Sequence, residues 1–397
     1  MNSLIKNLGR RLRVGFVGGG ADSVIGKVHQ VALRADGMGE LVAGAFSIDP
    51  EIARETGAEL LLDATRVYDT WHDMLDGEAL RDDRIDVVVV ITPPKLHQEI
   101  ASAFLAEGFH VLCEKPMTDS AEAAGRLAGD AANASGLFAL THCYTGYPMV
   151  REARELIGAG RIGEVRLIEA EHAAGGPDMI RDPEDRSRRH WRFRKESMGM
   201  GALLGEVGSH PHNISEYVTG QRVTQVSASL STIAAGRDVY DNAYLTVGYD
   251  GGAIGRIWSS YVGAGHEHGL GFRIFGDEGS LQWRQEDPEY LWHLSPGEPL
   301  RRLSRGLPST SELSRASTRL GWGHPEGYLM AFANIYRDFL AAVAAHELGN
   351  DPSAFLARIP GISDGVSSMN LIEAAMESHD AGGTTVRLGS RGAEVAS

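Results

Sequence analysis

Arg13-Val14-Gly15-Phe16-Val17-Gly18-Gly19-Gly20 is a short apolar run ending in three glycines, and a helical pattern follows from Gly26 to Arg34. A strand that stops in a glycine turn and leads into a helix fits a nucleotide-phosphate cradle. Glycines let the main chain approach a pyrophosphate, and the helix N-terminus supplies positive potential. The turn is longer than the simplest form, because Ala21-Asp22-Ser23-Val24-Ile25 separate the triplet from Gly26. A glycine cluster alone also suits an ordinary strand–turn. Its place between a strand and a helix favours a dinucleotide.

Working outward, the same alternation continues. Leu41 to Phe46 reads as a second strand, with Asp49-Pro50 at the next helix start. Asp86 to Ile91 is continuously apolar, as in a strand covered on both faces. Pro93-Pro94 ends it, and helix 97–107, strand 110–113, helix 120–134 and strand 137–141 follow. Short connections between alternating elements mean a doubly wound parallel sheet, an α/β Rossmann domain over residues 12–143. Beyond about residue 145 the texture changes. Residues 162–171, 223–231, 241–249, 253–261 and 271–275 read as strands, the later ones with the period-two pattern of antiparallel strands with one open face. Turn signals stand at Asp250-Gly251 and Asp277-Glu278-Gly279. Helices are expected at 327–345 and 365–377. This second domain, 144–385, is therefore α+β with an open, mostly antiparallel sheet. Residues 297–325 read as a surface excursion, and Met1 to Arg11 as an arm that packs on a neighbour or stays loose.

The chain has 397 residues and a net charge of −15, which opposes nucleic acid or an anionic membrane as the main partner. It contains no run of about 18 apolar residues. Cys113 and Cys143 are its only cysteines, too few for a disulfide framework, so a reducing, cytoplasmic setting is expected.

Two constellations suggest chemistry. Glu114-Lys115-Pro116 follows a strand of the parallel sheet. It can be read as a salt pair before a helix-starting proline. Ligands, however, bind at the carboxyl ends of such strands, where a lysine can polarise a hydroxyl or carbonyl oxygen. In Gly205-Glu206-Val207-Gly208-Ser209-His210, a carboxylate stands four residues before a histidine at a helix start. That suits a general base with an orienting acid, and it also suits helix capping. Ser47 sits where an acid would bind a ribose hydroxyl. Asp49 follows, reading equally as an N-cap, and Arg54 could help a 2′-phosphate, so NAD and NADP stay open. Candidate cofactor contacts are Gly18, Gly19, Gly20, Ser47, Thr92, Pro93, His97, Glu114 and Lys115. His210-Pro211-His212 and His266-Glu267-His268 have no convincing completing ligands, so no metal is expected.

Gly18-Gly19-Gly20, Glu114-Lys115-Pro116 and the Glu206–His210 segment, in this order and spacing, resemble the Gfo/Idh/MocA family of oxidoreductases over roughly residues 12–385. The resemblance implies a Rossmann domain for NAD or NADP and an open sheet that mediates homodimer or homotetramer contacts. Substrates would be sugars, inositols and related polyols. It makes Lys115 the family lysine and His210 the family's general base, with Glu206 where Asp is usual. It places Tyr144 and Tyr147 toward substrate, where they stack or hydrogen-bond, or else serve packing. Trp191 and Arg192 match a family Trp-Arg pair, inside a basic loop with Arg181, Arg186, Arg188, Arg189, Arg194 and Lys195. That loop is either solvated or a lid for an anionic substrate. The expected reaction is oxidation of a secondary ring hydroxyl of a sugar, glycoside or cyclitol to a ketone, at C3 of a glucose-like ring by family habit. Alternatives are an NAD-dependent redox-neutral glycosidase and a non-catalytic dinucleotide-binding sensor.

Overall fold

The computed structural model describes residues 3–177, 179–181, 193 and 201–388. The chain forms two compact units, Met1–Gly146 with Gly327–Val366, and Tyr147–Glu326 with Ser367–Ser397.

The first unit holds five parallel strands, β1 (Leu12–Gly18), β2 (Gly39–Ala45), β3 (Val87–Ile91), β4 (His110–Cys113) and β5 (Phe138–Leu140). Their order is β2-β1-β3-β4-β5. Every residue of β3 is buried, which is why its sequence shows no alternation. The chain leaves β1 toward β2 and then crosses to β3 on the other side. The carboxyl ends of β1 and β3 therefore flank the switch point, the ligand position in such sheets. Gly18 pairs there with Ile91.

Two sequence expectations change in this unit. The N-terminal arm is not loose: Ser3–Leu8 is a helix whose Ile5 is buried, and it packs on the helix Tyr328–Glu347. One apolar anchor in six residues is too little periodicity to read. The long helix itself belongs with the sheet of the first unit, so the chain crosses between units more than once instead of dividing at 143/144. It packs on the helix Val24–Arg34 and on the turn Cys143–Gly146. A Cβ on Gly146 would lie 2.0 Å from the Ala331 carbonyl oxygen, and Asn334 Nδ2 donates to Gly146 O at 2.8 Å. Ala331 to Tyr336 and Asp338 to Ala345 are all buried. A helix covered on most sides carries no stripe to say which sheet it serves.

The second unit is built on β6 (Val165–Ala173), β7 (Val223–Ser231), β8 (Asn242–Tyr249), β9 (Ile254–Ser260), β10 (Leu270–Gly276), β11 (Ser280–Arg284), β12 (Tyr290–Leu294), β13 (Arg301–Ser304) and β14 (Val386–Arg387). The order is β13-β12-β11-β10-β6-β9-β8-β7-β14, antiparallel except for the β6–β9 pair. Alternation gives one outward face. There Glu169 stands in register between Arg256 and Arg273 and pairs with both, and Tyr244 lies opposite Trp258. The stretch 297–325 is not a simple surface excursion. It contains β13 and a helix, Glu312–Ala316, and is braced by the buried Arg305, which bonds Glu289 at 2.7 Å and Glu326 at 3.0 Å. Those partners lie 16 and 21 residues away. The local composition, rich in Ser, Arg and Gly, does not reveal them.

Candidate functional site

The glycine turn is shaped by exclusion. Gly18 and Gly19 have φ of +84° and +74°, and a Cβ on Gly18 would lie 2.5 Å from the Ile91 carbonyl oxygen. A Cβ on Gly26 would lie 2.3 Å from Gly19 O. The first two positions need left-handed backbone, and the third lets the helix Val24–Arg34 close onto the turn. The extra residues are folded in: Ser23 N donates to Gly20 O at 2.8 Å and Ala21 N to Thr56 Oγ1 at 3.0 Å. Ser23 caps the helix, its Oγ accepting from Gly26 N at 3.1 Å. Just past β3, Thr92 Oγ1 is buried without a hydrogen-bond partner among the described residues. A cradle cleared of side chains, a capped helix N-terminus and a waiting hydroxyl fit a dinucleotide.

At the end of β2, Ser47 Oγ accepts from Asp49 N at 3.1 Å, while Asp49 Oδ1 accepts from Glu51 N at 2.9 Å. Asp49 is thus an N-cap. Arg54 lies 3.7 Å from Asp69, both exposed. Pro93 is exposed. His97 is fully buried, its Nδ1 2.9 Å from Pro116 O and its Nε2 2.7 Å from Thr92 O. Burial lowers its pKa against the pull of these carbonyls. His97 therefore braces the end of β3 against the Glu-Lys-Pro segment, with both ring nitrogens on main chain.

Glu114 is buried and half-buried Lys115 follows it, before a cis Lys115–Pro116 peptide. Glu114 Oε2 accepts from Lys115 N at 3.1 Å, and Oε1 faces His29 Nε2 at 3.1 Å and takes the Thr141 hydroxyl. Burial would raise its pKa, but His29, Lys115 and Thr141 together hold it below the usual range. Burial pushes the Cys113 thiol well up and Cys143 to about 12, so neither is a thiolate near neutral pH.

In the second unit, a π-helical turn, Leu204–Gly208, runs into the helix Ser209–Thr219. Such turns often mark functional positions. Glu206 accepts from Tyr261 Oη at 2.6 Å. His210 is buried, its ring 5.6 Å from that of His172, which stacks on His268 at 4.3 Å. His212, about 200° further round the helix, turns elsewhere: its Nε2 is 3.1 Å from Glu216 Oε1. The two histidines of this His-x-His pair thus have separate tasks. His266 is exposed and edge-on to Trp258. Among the described residues, His110, His346 and Glu347 do lie close enough to share an ion. His110 Nδ1, however, accepts from Leu137 N at 2.9 Å, so its Nε2 carries the proton and faces Glu347 at 3.1 Å. That nitrogen offers no lone pair to a metal.

The tyrosines are buried. Tyr144 lies 5.9 Å from the Tyr328 ring in the first unit, and Tyr147 packs 5.2 Å from Trp283 in the second, taking a long bond from Gln285. Trp191 and Arg192, with Arg186, Arg188, Arg189, Arg194 and Lys195, lie outside the described residues. Sequence reasoning missed Tyr261, His172 and His29. Tyr261 stands just past the end of β9 and His172 sits in β6, neither with a local signal. His29, a polar residue inside a helix beside the glycine turn, was the readable one.

A dinucleotide cradle at the switch point and a lysine at the carboxyl end of β4 define a nicotinamide-dependent oxidoreductase. A family model described as oxidoreductase family, NAD-binding Rossmann fold, matches residues 12–142, and the GFO/IDH/MocA C-terminal domain model matches 150–282. The chain belongs to the Gfo/Idh/MocA family of NAD-binding oxidoreductases. It is 30% identical over 382 residues to the uncharacterized oxidoreductase YfiI of Bacillus subtilis, covering 96% of this chain and 97% of that one. It is 29% identical over 306 residues to levoglucosan dehydrogenase of Pseudarthrobacter phenanthrenivorans, covering 71% and 76%. An inositol dehydrogenase homolog from Azotobacter vinelandii, solved with NADH and myo-inositol, superposes with a TM-score of 0.87 at 36% identity, covering 95% and 97%.

Proposed function

We propose that this protein oxidises a secondary ring hydroxyl of a cyclitol or sugar to a ketone, with Lys115 and His210 as catalytic residues. The observation that carries the reading is Lys115 itself. It stands at the carboxyl end of β4 with its peptide N–H fixed by the buried Glu114 carboxylate, in a sheet whose switch point is cleared for a dinucleotide. Similarity over almost the whole chain to a protein solved with NADH and myo-inositol supports the substrate class.

Gly18, Gly19, the N-terminus of the helix Val24–Arg34 and Thr92 would hold the dinucleotide, with Ser47 toward the ribose. When bound, the nicotinamide supplies the hydride acceptor. His210 takes the hydroxyl proton, and Lys115 stabilises the developing alkoxide with its positive charge. Glu206, which accepts from Tyr261, orients His210 or bonds a neighbouring hydroxyl of the substrate. C3 is the carbon we favour on a glucose-like ring. We also place the protein in the cytoplasm; no helix among the described residues is long and apolar enough to cross a membrane. We propose a homodimer or homotetramer through the outward sheet face, where Leu167, Tyr244 and Ile254 are about half exposed. Light scattering on the eluting protein tests that.

The decisive experiment follows absorbance at 340 nm with NAD⁺ and NADP⁺ separately, over myo-inositol, levoglucosan, free sugars, glycosides and sugar acids. NADH formation that disappears in Lys115→Ala supports the dehydrogenase. Product without NADH points to redox-neutral glycoside cleavage. Dinucleotide binding with no turnover across the panel points to a sensor. Either result overturns the reading.

A further inference from the structure

We propose that His29 and Tyr336 are positioning residues for Lys115, acting through a buried chain Tyr336–His29–Glu114 that fixes the peptide from which the lysine projects. The inference rests on the role proposed above for Lys115.

Distant segments supply the chain. His29, on the helix that starts at the glycine turn, is fully buried, its Nδ1 2.7 Å from Tyr336 Oη and its Nε2 3.1 Å from Glu114 Oε1. Tyr336 comes from the middle of the helix Tyr328–Glu347 and is buried as well. Glu114 completes the line: Oε1 also takes the Thr141 hydroxyl, and Oε2 takes the Lys115 N–H at 3.1 Å.

The donor directions are determined. An ionised carboxylate only accepts, so His29 donates from Nε2, and a neutral ring then accepts the Tyr336 hydroxyl proton at Nδ1. The other neutral tautomer would set a nitrogen lone pair against a carboxylate oxygen. Burial keeps the Tyr336 phenol protonated, as this arrangement needs. The ring of His29 is also held edge-on by Phe16 at 6.1 Å and Phe332 at 4.8 Å. Burying a phenol, an imidazole and a carboxylate is costly unless each is satisfied. The satisfied chain gives the 114–115 peptide one direction, and it ties that peptide to the helix at the cradle. A displacement of a reacting group by about 1 Å can cost about 100-fold in rate.

The test uses the full chain as wild type, His29→Ala, His29→Gln, Tyr336→Phe and Lys115→Ala. The readouts are NADH affinity by fluorescence, turnover at saturating NAD⁺ with myo-inositol or whichever panel compound the wild type oxidises fastest, and deuterium uptake at the Lys115 amide. In His29→Ala we expect kcat to fall about 10- to 100-fold, NADH affinity to stay within about twofold, and Lys115 uptake to rise about tenfold. Tyr336→Phe should move both in the same direction by less. His29→Gln keeps a donor toward Glu114 and should recover most of the turnover; a purely space-filling histidine would not be rescued this way. Wild-type kcat and uptake in the His29→Ala and Tyr336→Phe variants, or no recovery in His29→Gln, overturn the inference. If His29→Ala does not fold, Tyr336→Phe decides, because it removes one oxygen and keeps the ring. Lys115→Ala reports separately: if it stays active, the functional reading falls, and the Lys115 uptake still decides whether the chain holds this peptide.

Discussion

Removing the charge of Glu216 should destabilise the protein at neutral pH and matter progressively less in acid. Glu216 closes the helix that carries His210. It lies beside His212 and accepts from Arg222 at 2.7 Å, Val223 N at 2.8 Å and Ser367 Oγ at 2.9 Å, joining that helix to the start of β7. Burial pushes its pKa up, but His212, Arg222 and the Val223 N–H outweigh burial and bring it to about 2, from an ordinary 4.5. At about 1.4 kcal/mol per unit, the ionised form contributes on the order of 3 kcal/mol. The group is depressed in the folded state. Its contribution is therefore fully present above about pH 4.5 and is lost as pH falls from there toward 2. Urea unfolding of wild type and Glu216→Gln at several pH values is the assay. A gap of about 3 kcal/mol at pH 7 should shrink steadily below pH 4.5. A gap that is absent at pH 7, or constant across the acid interval, would refute the reasoning.

Three further outcomes are expected. Gly18→Ala puts a methyl 2.5 Å from the Ile91 carbonyl at a φ of +84°. Strain of about 1–3 kcal/mol should weaken NADH binding by roughly ten- to a hundredfold in a fluorescence titration; unchanged affinity would remove Gly18 from the cradle. Tyr261→Phe deletes the donor to Glu206 and should lower kcat about tenfold while leaving NADH affinity alone. A full kcat would mean that Glu206 does not depend on it. Arg305→Met strands Glu289 and Glu326 around a buried position and should cost about 3–5 kcal/mol in urea unfolding. A loss below 1 kcal/mol would show that the brace is dispensable.

What the sequence made legible follows from range. Strands β3 and β4 and the glycine turn announce themselves within a few residues, and β7 lies where its alternation put it. Glu114-Lys115-Pro116 was readable because its residue types and its place after a strand are local. The partners that give these residues their work are not local. Thr141, His29 and Tyr336 reach Glu114 from 27, 85 and 222 residues away, the last through His29. Tyr261 reaches Glu206 from 55 residues away. β11 and β12 escaped because Gly, Asp and Glu crowd their turns and their alternation lasts only five residues. Asp49 could be read as a ribose contact or as a cap. The structure engages it with Glu51 N, a choice that backbone geometry makes and composition does not.

The return of residues 327–366 to the first unit has a consequence for synthesis. A nascent chain emerges N-terminus first, and domains commonly fold as they leave the ribosome. Here the dinucleotide unit cannot be completed in that way. Until the helix Tyr328–Glu347 has been made, the helix Val24–Arg34 lacks its packing partner and His29 lacks Tyr336. The second unit's strands β6 to β13 are all translated in that interval. The part of the protein encoded first is thus finished late.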